Sequence, residues 1–116
     1  MPERTVLLID DNEDVVRIVT ELLTHAGYEP IPAGSAAEGV RPLRERRPDV
    51  VVVEPYTFGP SRWNWIASLT AGLQAHPPPP FLAVSTLAGE KTRARMVGCA
   101  GFLPKPVAPG VVLRGI

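Results

Sequence analysis

Four consecutive valines, Val50 to Val53, limit the fold more than any other feature of the chain. An unbroken β-branched run suits a strand covered on both faces, and hence a parallel sheet with helices on either side. The period-two alternation of a half-solvated strand is absent. The run leads into Glu54 and Pro55. Proline has no N–H for a ladder and drives the residue before it to extended geometry, so the strand is predicted to stop with Glu54 at its carboxyl end. Ligands of open α/β sheets bind at that edge, which makes Glu54 a candidate functional group. A strand-end glutamate that simply reaches solvent is an equal alternative.

Strand and helix signals alternate along the rest of the chain. "TVLLID" (5 to 10) is a first apolar strand, and Val15, Ile18, Val19, Leu22, Leu23 and Ala26 then recur at helical spacing, with Asn12 as cap and Gly27 as terminator. "YEPIPA" (28 to 33) is a strand whose Pro30 and Pro32 assign it to a sheet edge. Ser35 caps a second helix to about Arg46, with Val40 and Leu43 inward and Pro42 expected to kink or fray it. A third helix is predicted from about Ser61 to Leu73. "HPPPP" (76 to 80) is a stiff extended connection to the strand "FLAVS" (81 to 85). "EKTRARMV" (90 to 97) reads as a polar fourth helix, "GFLPK" (101 to 105) as a fifth strand and "GVVLRGI" as the start of a last helix. No internal repeat or linker interrupts the pattern. One α/β domain over 1 to 116, a doubly wound (βα)5 parallel sheet, is therefore expected. The last helix is only about two turns long, which suggests a module cut from, or continuing into, a longer regulator or kinase.

Composition excludes several function classes. Of 116 residues 45% are apolar, enough for one globular core, and twelve basic residues balance twelve acidic ones, so no global field favours nucleic acid or a membrane surface. One cysteine, Cys99, cannot close an internal disulfide and has no neighbouring His or Cys, so it is read as packing. With no signal peptide or spanning segment, a cytoplasmic location is the default expectation. Arg41, Arg44, Arg46 and Arg47 crowd the end of the second helix and are read as a solvated face that complements its dipole. Trp63 and Trp65 cannot share one side of a helix, so in a helix one of them is expected to be exposed and available to a partner; the alternative is a folded-back loop that holds both.

The charged residues gather at one edge. Asp10 and Asp11 end the first strand, Glu54 the third, Ser85 the fourth and Lys105 the fifth. Three carboxylates in proximity repel unless a cation lies among them, a role open to Lys105 or to a hard divalent ion. Unrelated strand-end polar residues would account for each singly but not for their coincidence.

At this point the chain resembles the response-regulator receiver family, the CheY-like phosphoacceptor domains of two-component signalling. The resemblance rests on "LLIDDNED", "RRPDVVVVE", "PFLAVST" and "GCAGFLPKP", four motifs in family order over nearly the whole chain. It implies a flavodoxin-like sheet in the order 2-1-3-4-5. It also implies an acidic pocket from Asp10 and Asp11, phosphate-reading roles for Ser85 and Lys105, a cis Lys105–Pro106 bond, and Phe102 as the switch aromatic or an ordinary half-buried one. The family's metal set would fall on Asp11, Glu54 and the Tyr56 carbonyl. Glu54, however, stands where the family carries its phosphoaccepting aspartate. Its carboxylate is one methylene too long for the in-line attack that positioning must set up. The loop "PYTFGPSRW" also lacks the usual residues after the acceptor, and Thr86 replaces a small residue.

The favoured reading is thus a pseudo-receiver, a phosphorylation-independent signalling module of a two-component or phosphorelay system. It would be no enzyme, would need no cofactor and hold Mg2+ weakly if at all, and would bind a protein partner such as a kinase or output domain rather than nucleic acid or membrane. The alternatives are an active receiver phosphorylated at another residue, and a phosphatase-type enzyme of another doubly wound family. The latter lacks the DxD spacing, because Asp10 and Asp11 are adjacent. Partner, output domain and oligomeric state are not encoded in these motifs.

Overall fold

The valine run forms a strand buried on both faces, as its composition requires. The computed structural model describes residues 4–85 and 88–104, together with Arg114 and Ile116. In them, β1 (Thr5–Ile9), β2 (Glu29–Ala33), β3 (Val50–Val53), β4 (Phe81–Ser85) and β5 (Gly101–Pro104) make one parallel sheet in the order β2-β1-β3-β4-β5. The crossovers contain α1 (Glu13–His25), α2 (Ala36–Glu45), α3 (Arg62–Thr70) and α4 (Lys91–Met96). The segment read as a last helix, and the Lys105–Pro106 bond, lie outside the described residues.

Alternate strand residues feed two cores. Leu7, Ile9, Val51, Val53, Phe81 and Ala83 pack with Leu43 of α2, Trp63, Ile66 and Leu69 of α3, and Ala94 of α4. Val6, Leu8, Val52, Leu82 and Val84 meet Val19 and Leu23 of α1 on the other face, where Ile116 also packs. Each valine of β3 therefore has a core to enter, whichever way it points. Ile18, which shares the apolar helical spacing of α1, is 44% exposed, because Val15, Val19 and Leu23 already fill the face toward the sheet.

Local chemistry sets the helix ends. Asn12 Oδ1 accepts from the N–H groups of Asp14 at 3.1 Å and Val15 at 3.2 Å, and Ser35 Oγ accepts from Glu38 N at 3.1 Å. Pro42, expected to kink or fray the helix, lies inside α2, which continues to Glu45. Leu43 anchors it, and Gly39 presses on β1 so closely that a Cβ there would meet Ile9 Cδ1 at 2.6 Å. β2 is an edge strand, and its Glu29 N donates to Arg4 O at 2.8 Å. No helix among the described residues is long and apolar enough to cross a membrane.

Candidate functional site

Sheet register brings the first two carboxylates to one level. Ile9 pairs with Val53, so Asp10 and Glu54 follow directly on adjacent strands, and Glu54 N donates to Ile9 O at 2.8 Å. Both side chains are buried, Asp10 at 4% and Glu54 at 5% exposure, and Ser85 at the end of β4 is fully enclosed. Glu54 therefore does not simply reach solvent. Asp11 is exposed at the rim. Lys105 and Thr86 lie outside the described residues, and Phe102 is half-buried against the core of the α2–α3–α4 face.

Two loops shape this end of the sheet. Asp10 Oδ1 accepts from Asn12 N at 2.9 Å, so the acidic turn and the α1 cap are one continuous structure. After β3 the backbone enters a 3-10 segment, Pro55–Ser61, broken at Gly59 where φ is 73°. Glu54 Oε1 turns back to accept from Tyr56 N at 3.0 Å, capping that segment. Thr57 Oγ1 accepts from Asp11 N at 3.2 Å and ties the two loops together. α3 runs from Arg62 to Thr70, shorter than the predicted span from about Ser61 to Leu73.

Arg62 and Glu90 are additions that no motif singled out. Arg62 Nη2 donates to Glu90 Oε1 at 3.0 Å and Nε to Oε2 at 3.4 Å, while the guanidinium lies 4.6 Å from the centre of the Tyr56 ring. The two ionic side chains are only 21% and 10% exposed. The hydrogen bond to Glu90 raises the Arg62 pKa above its ordinary value against the opposing pull of burial, with further support from Tyr56 and Glu54. This bridge fastens the loop after β3 to the 3-10 turn Ala88–Glu90 after β4. A cation in the first turn of a helix opposes the helix dipole, and that misplacement was the available sequence signal for an outside partner.

Glu54 Oε1 accepts from the Tyr56 amide, Asp11 is exposed, and among the described residues no three His, Cys, Asp or Glu side chains are grouped to hold a metal. Of the tryptophans, Trp63 is buried and Trp65 is 44% exposed, as their two-residue spacing requires. Cys99 packs at the edge of the core, and burial pushes its thiol pKa up to about 11, which suits the inert role read for it.

No family model matches the chain. Among curated proteins it is similar to the polar-differentiation response regulator DivK of Brucella anthropi, 26% identical over 110 residues that cover 90% of this chain and 86% of that one. Its fold is that of the chemotaxis response regulator CheY4 of Vibrio cholerae, with a TM-score of 0.86, 24% identity, and coverage of 98% and 96%. A CheY-like response regulator receiver domain protein from Methanospirillum hungatei superposes with a TM-score of 0.86 at 18% identity, covering 98% of this chain and 90% of its own.

Proposed function

We propose, taking the chain as a CheY-like receiver domain of a response regulator, that it is a pseudo-receiver, a signalling module whose state does not depend on phosphorylation. The observation that carries this reading is Glu54, buried at the end of β3 with Oε1 bound to the Tyr56 amide at 3.0 Å. A carboxylate used to cap its own loop is not aimed for in-line attack on phosphorus, and positioning is most of phosphoryl-transfer catalysis. The Arg62–Glu90 bridge supports the same reading, since it joins the loops after β3 and β4 without any phosphoryl group. Asp10, Asp11 and Ser85 are then a retained acidic and hydroxyl pocket, with Lys105 and Phe102 assigned as phosphate-reading and switch equivalents by motif alone. No catalysis and no cofactor are part of this function. The domain acts by binding another signalling protein, such as a kinase or an output domain, in the cytoplasm.

Incubation with acetyl phosphate and Mg2+, read by intact mass, tests this. The native chain is expected to gain no phosphoryl adduct, and Glu54→Asp to gain one slowly because the shorter side chain restores the acceptor's reach. An adduct mapped to any native residue overturns the proposal and favours a receiver that is phosphorylated elsewhere. Mg2+ titrated against amide shifts should show no saturable sub-millimolar binding.

A further inference from the structure

The amino-terminal end of the sheet, opposite the carboxylates, holds a cavity that the signalling role does not use. It measures about 550 Å3 and opens between the turn from α2 to β3 and the proline-rich segment from α3 to β4. That volume lies within the ~300–1,000 Å3 typical of small-molecule sites.

The four arginines at the end of α2 divide around it. Arg41 bonds Glu45 at 3.1 Å and Arg46 bonds Glu29, so their charges are met within the fold. Arg44 and Arg47 make no ion pair among the described residues, and both line the cavity together with His76. A face that merely complemented the helix dipole would not need this division. The carboxylate in the lining, Asp49, has Oδ2 on Thr5 N at 2.7 Å, so it is already held by the backbone.

Two further features mark a built site. Arg47 holds a left-handed backbone, φ 46°, which side chains other than glycine, asparagine and aspartate adopt at an energetic disadvantage. Keeping an arginine there places a guanidinium at the cavity where glycine would turn the chain with less strain. The opposing wall contains Pro77 and Pro79, rigid apolar rings without N–H groups. The segment is folded tightly enough that a Cβ on Gly72 would lie 3.3 Å from His76 Nδ1.

We propose that this cavity binds a small organic oxyanion, its phosphate or carboxylate taken by Arg44 and Arg47 and its apolar body set against the prolines. Guanidinium forks match both groups bidentately, and a cavity with two of them and stiff apolar walls selects an anion with a hydrophobic side over a bare ion. His76 supplies a further ring N–H.

Amide spectra of the 15N-labelled protein titrated with phenyl phosphate, phthalate and inorganic phosphate provide the test. Phenyl phosphate or phthalate should shift the amides of Arg47, Asp49, Gln74, Ala75 and His76 saturably, with a Kd below about 1 mM. The one that saturates identifies the source of the oxyanion. Inorganic phosphate, without an apolar body, should bind about tenfold more weakly or worse. Arg44→Gln with Arg47→Asn, which tolerates the left-handed backbone, should weaken binding by about tenfold or more. Arg41→Gln with Arg46→Gln removes the same net charge away from the cavity and should change affinity less than about twofold. Equal losses in the two pairs would reduce the effect to general charge attraction and overturn the proposal. So would shifts that do not saturate by about 10 mM. If the cavity pair loses its dispersed spectrum, Arg44→Lys alone keeps the test, because an ammonium cannot make the paired contact and must still weaken binding several-fold.

Discussion

The connections β1–α1 and β3–α3 both carry a buried carboxylate from the sheet toward a helix, and they do it by different means. After β1 the route is short: Asp10 bonds Asn12 N, Asn12 caps α1, and the helix begins at Glu13. After β3 the chain takes seven residues of 3-10 structure, with prolines at 55 and 60 and a left-handed Gly59, before α3 starts. The first connection is held by its own local hydrogen bonds. Apolar anchors, Phe58 and Trp63, and a distant ion pair to Glu90 hold the second. Each carboxylate accepts from the amide two residues on, but the turn after β1 leads straight into its own helix cap, whereas the loop after β3 depends in addition on the apolar and ionic groups that pin it.

Substitutions can break or sharpen this contrast. Phe58→Ala should have the largest effect, about 3–4 kcal/mol of stability lost in denaturant unfolding, because the ring is 7% exposed and part of the core. A loss under about 1 kcal/mol would mean the 3-10 segment does not rely on its anchor. Next, Arg62→Gln should remove about 2–3 kcal/mol by leaving Glu90, whose side chain is 10% exposed, without its guanidinium. A double-mutant cycle with Glu90→Gln should return a coupling of about 1–2 kcal/mol, and additivity would show that the bridge is idle. Gly59→Ala should lose about 2 kcal/mol through backbone strain alone, since φ is 73° and nothing lies within 4 Å of the new Cβ. Equal stability would place the strain elsewhere. Asn12→Ala is expected to have the smallest effect, about 1 kcal/mol, with exchange protection lost only over the first turn of α1. If instead the amides of the β3–α3 loop respond, the Thr57–Asp11 bond transmits more between the two connections than their construction suggests.

The same contrast decides what was legible in the sequence. Asn12 and Ser35 announce their helices because an N-cap acts within three residues of itself, and both are seen capping. The strand FLAVS has the bounds read for it, since its apolar run and the prolines before it are local signals too. The order of the strands came through resemblance rather than through any residue pattern. Glu54 was legible as a group at the functional edge, but its turn onto the Tyr56 amide was not, because that depends on how Pro55 and Gly59 fold the loop under it. Arg62 and Glu90 lie 28 residues apart, and no periodicity links them. Ile18 fits the helical spacing of α1 yet faces outward, because spacing defines a stripe without saying where its margin falls.

The prolines of β2 have a consequence beyond marking it as an edge. In a parallel strand alternate residues turn their amides to opposite sides, and Glu29 turns its own toward β1. Pro30 and Pro32, the alternate residues, therefore occupy the positions whose donors would face outward from the sheet. That border offers carbonyl oxygens and no N–H at two successive sites, so an incoming strand finds acceptors where it needs donors as well. The lateral growth by which exposed sheets become fibrils, or by which two copies zip into one continuous sheet, is disfavoured along this side by the covalent structure of the residues themselves.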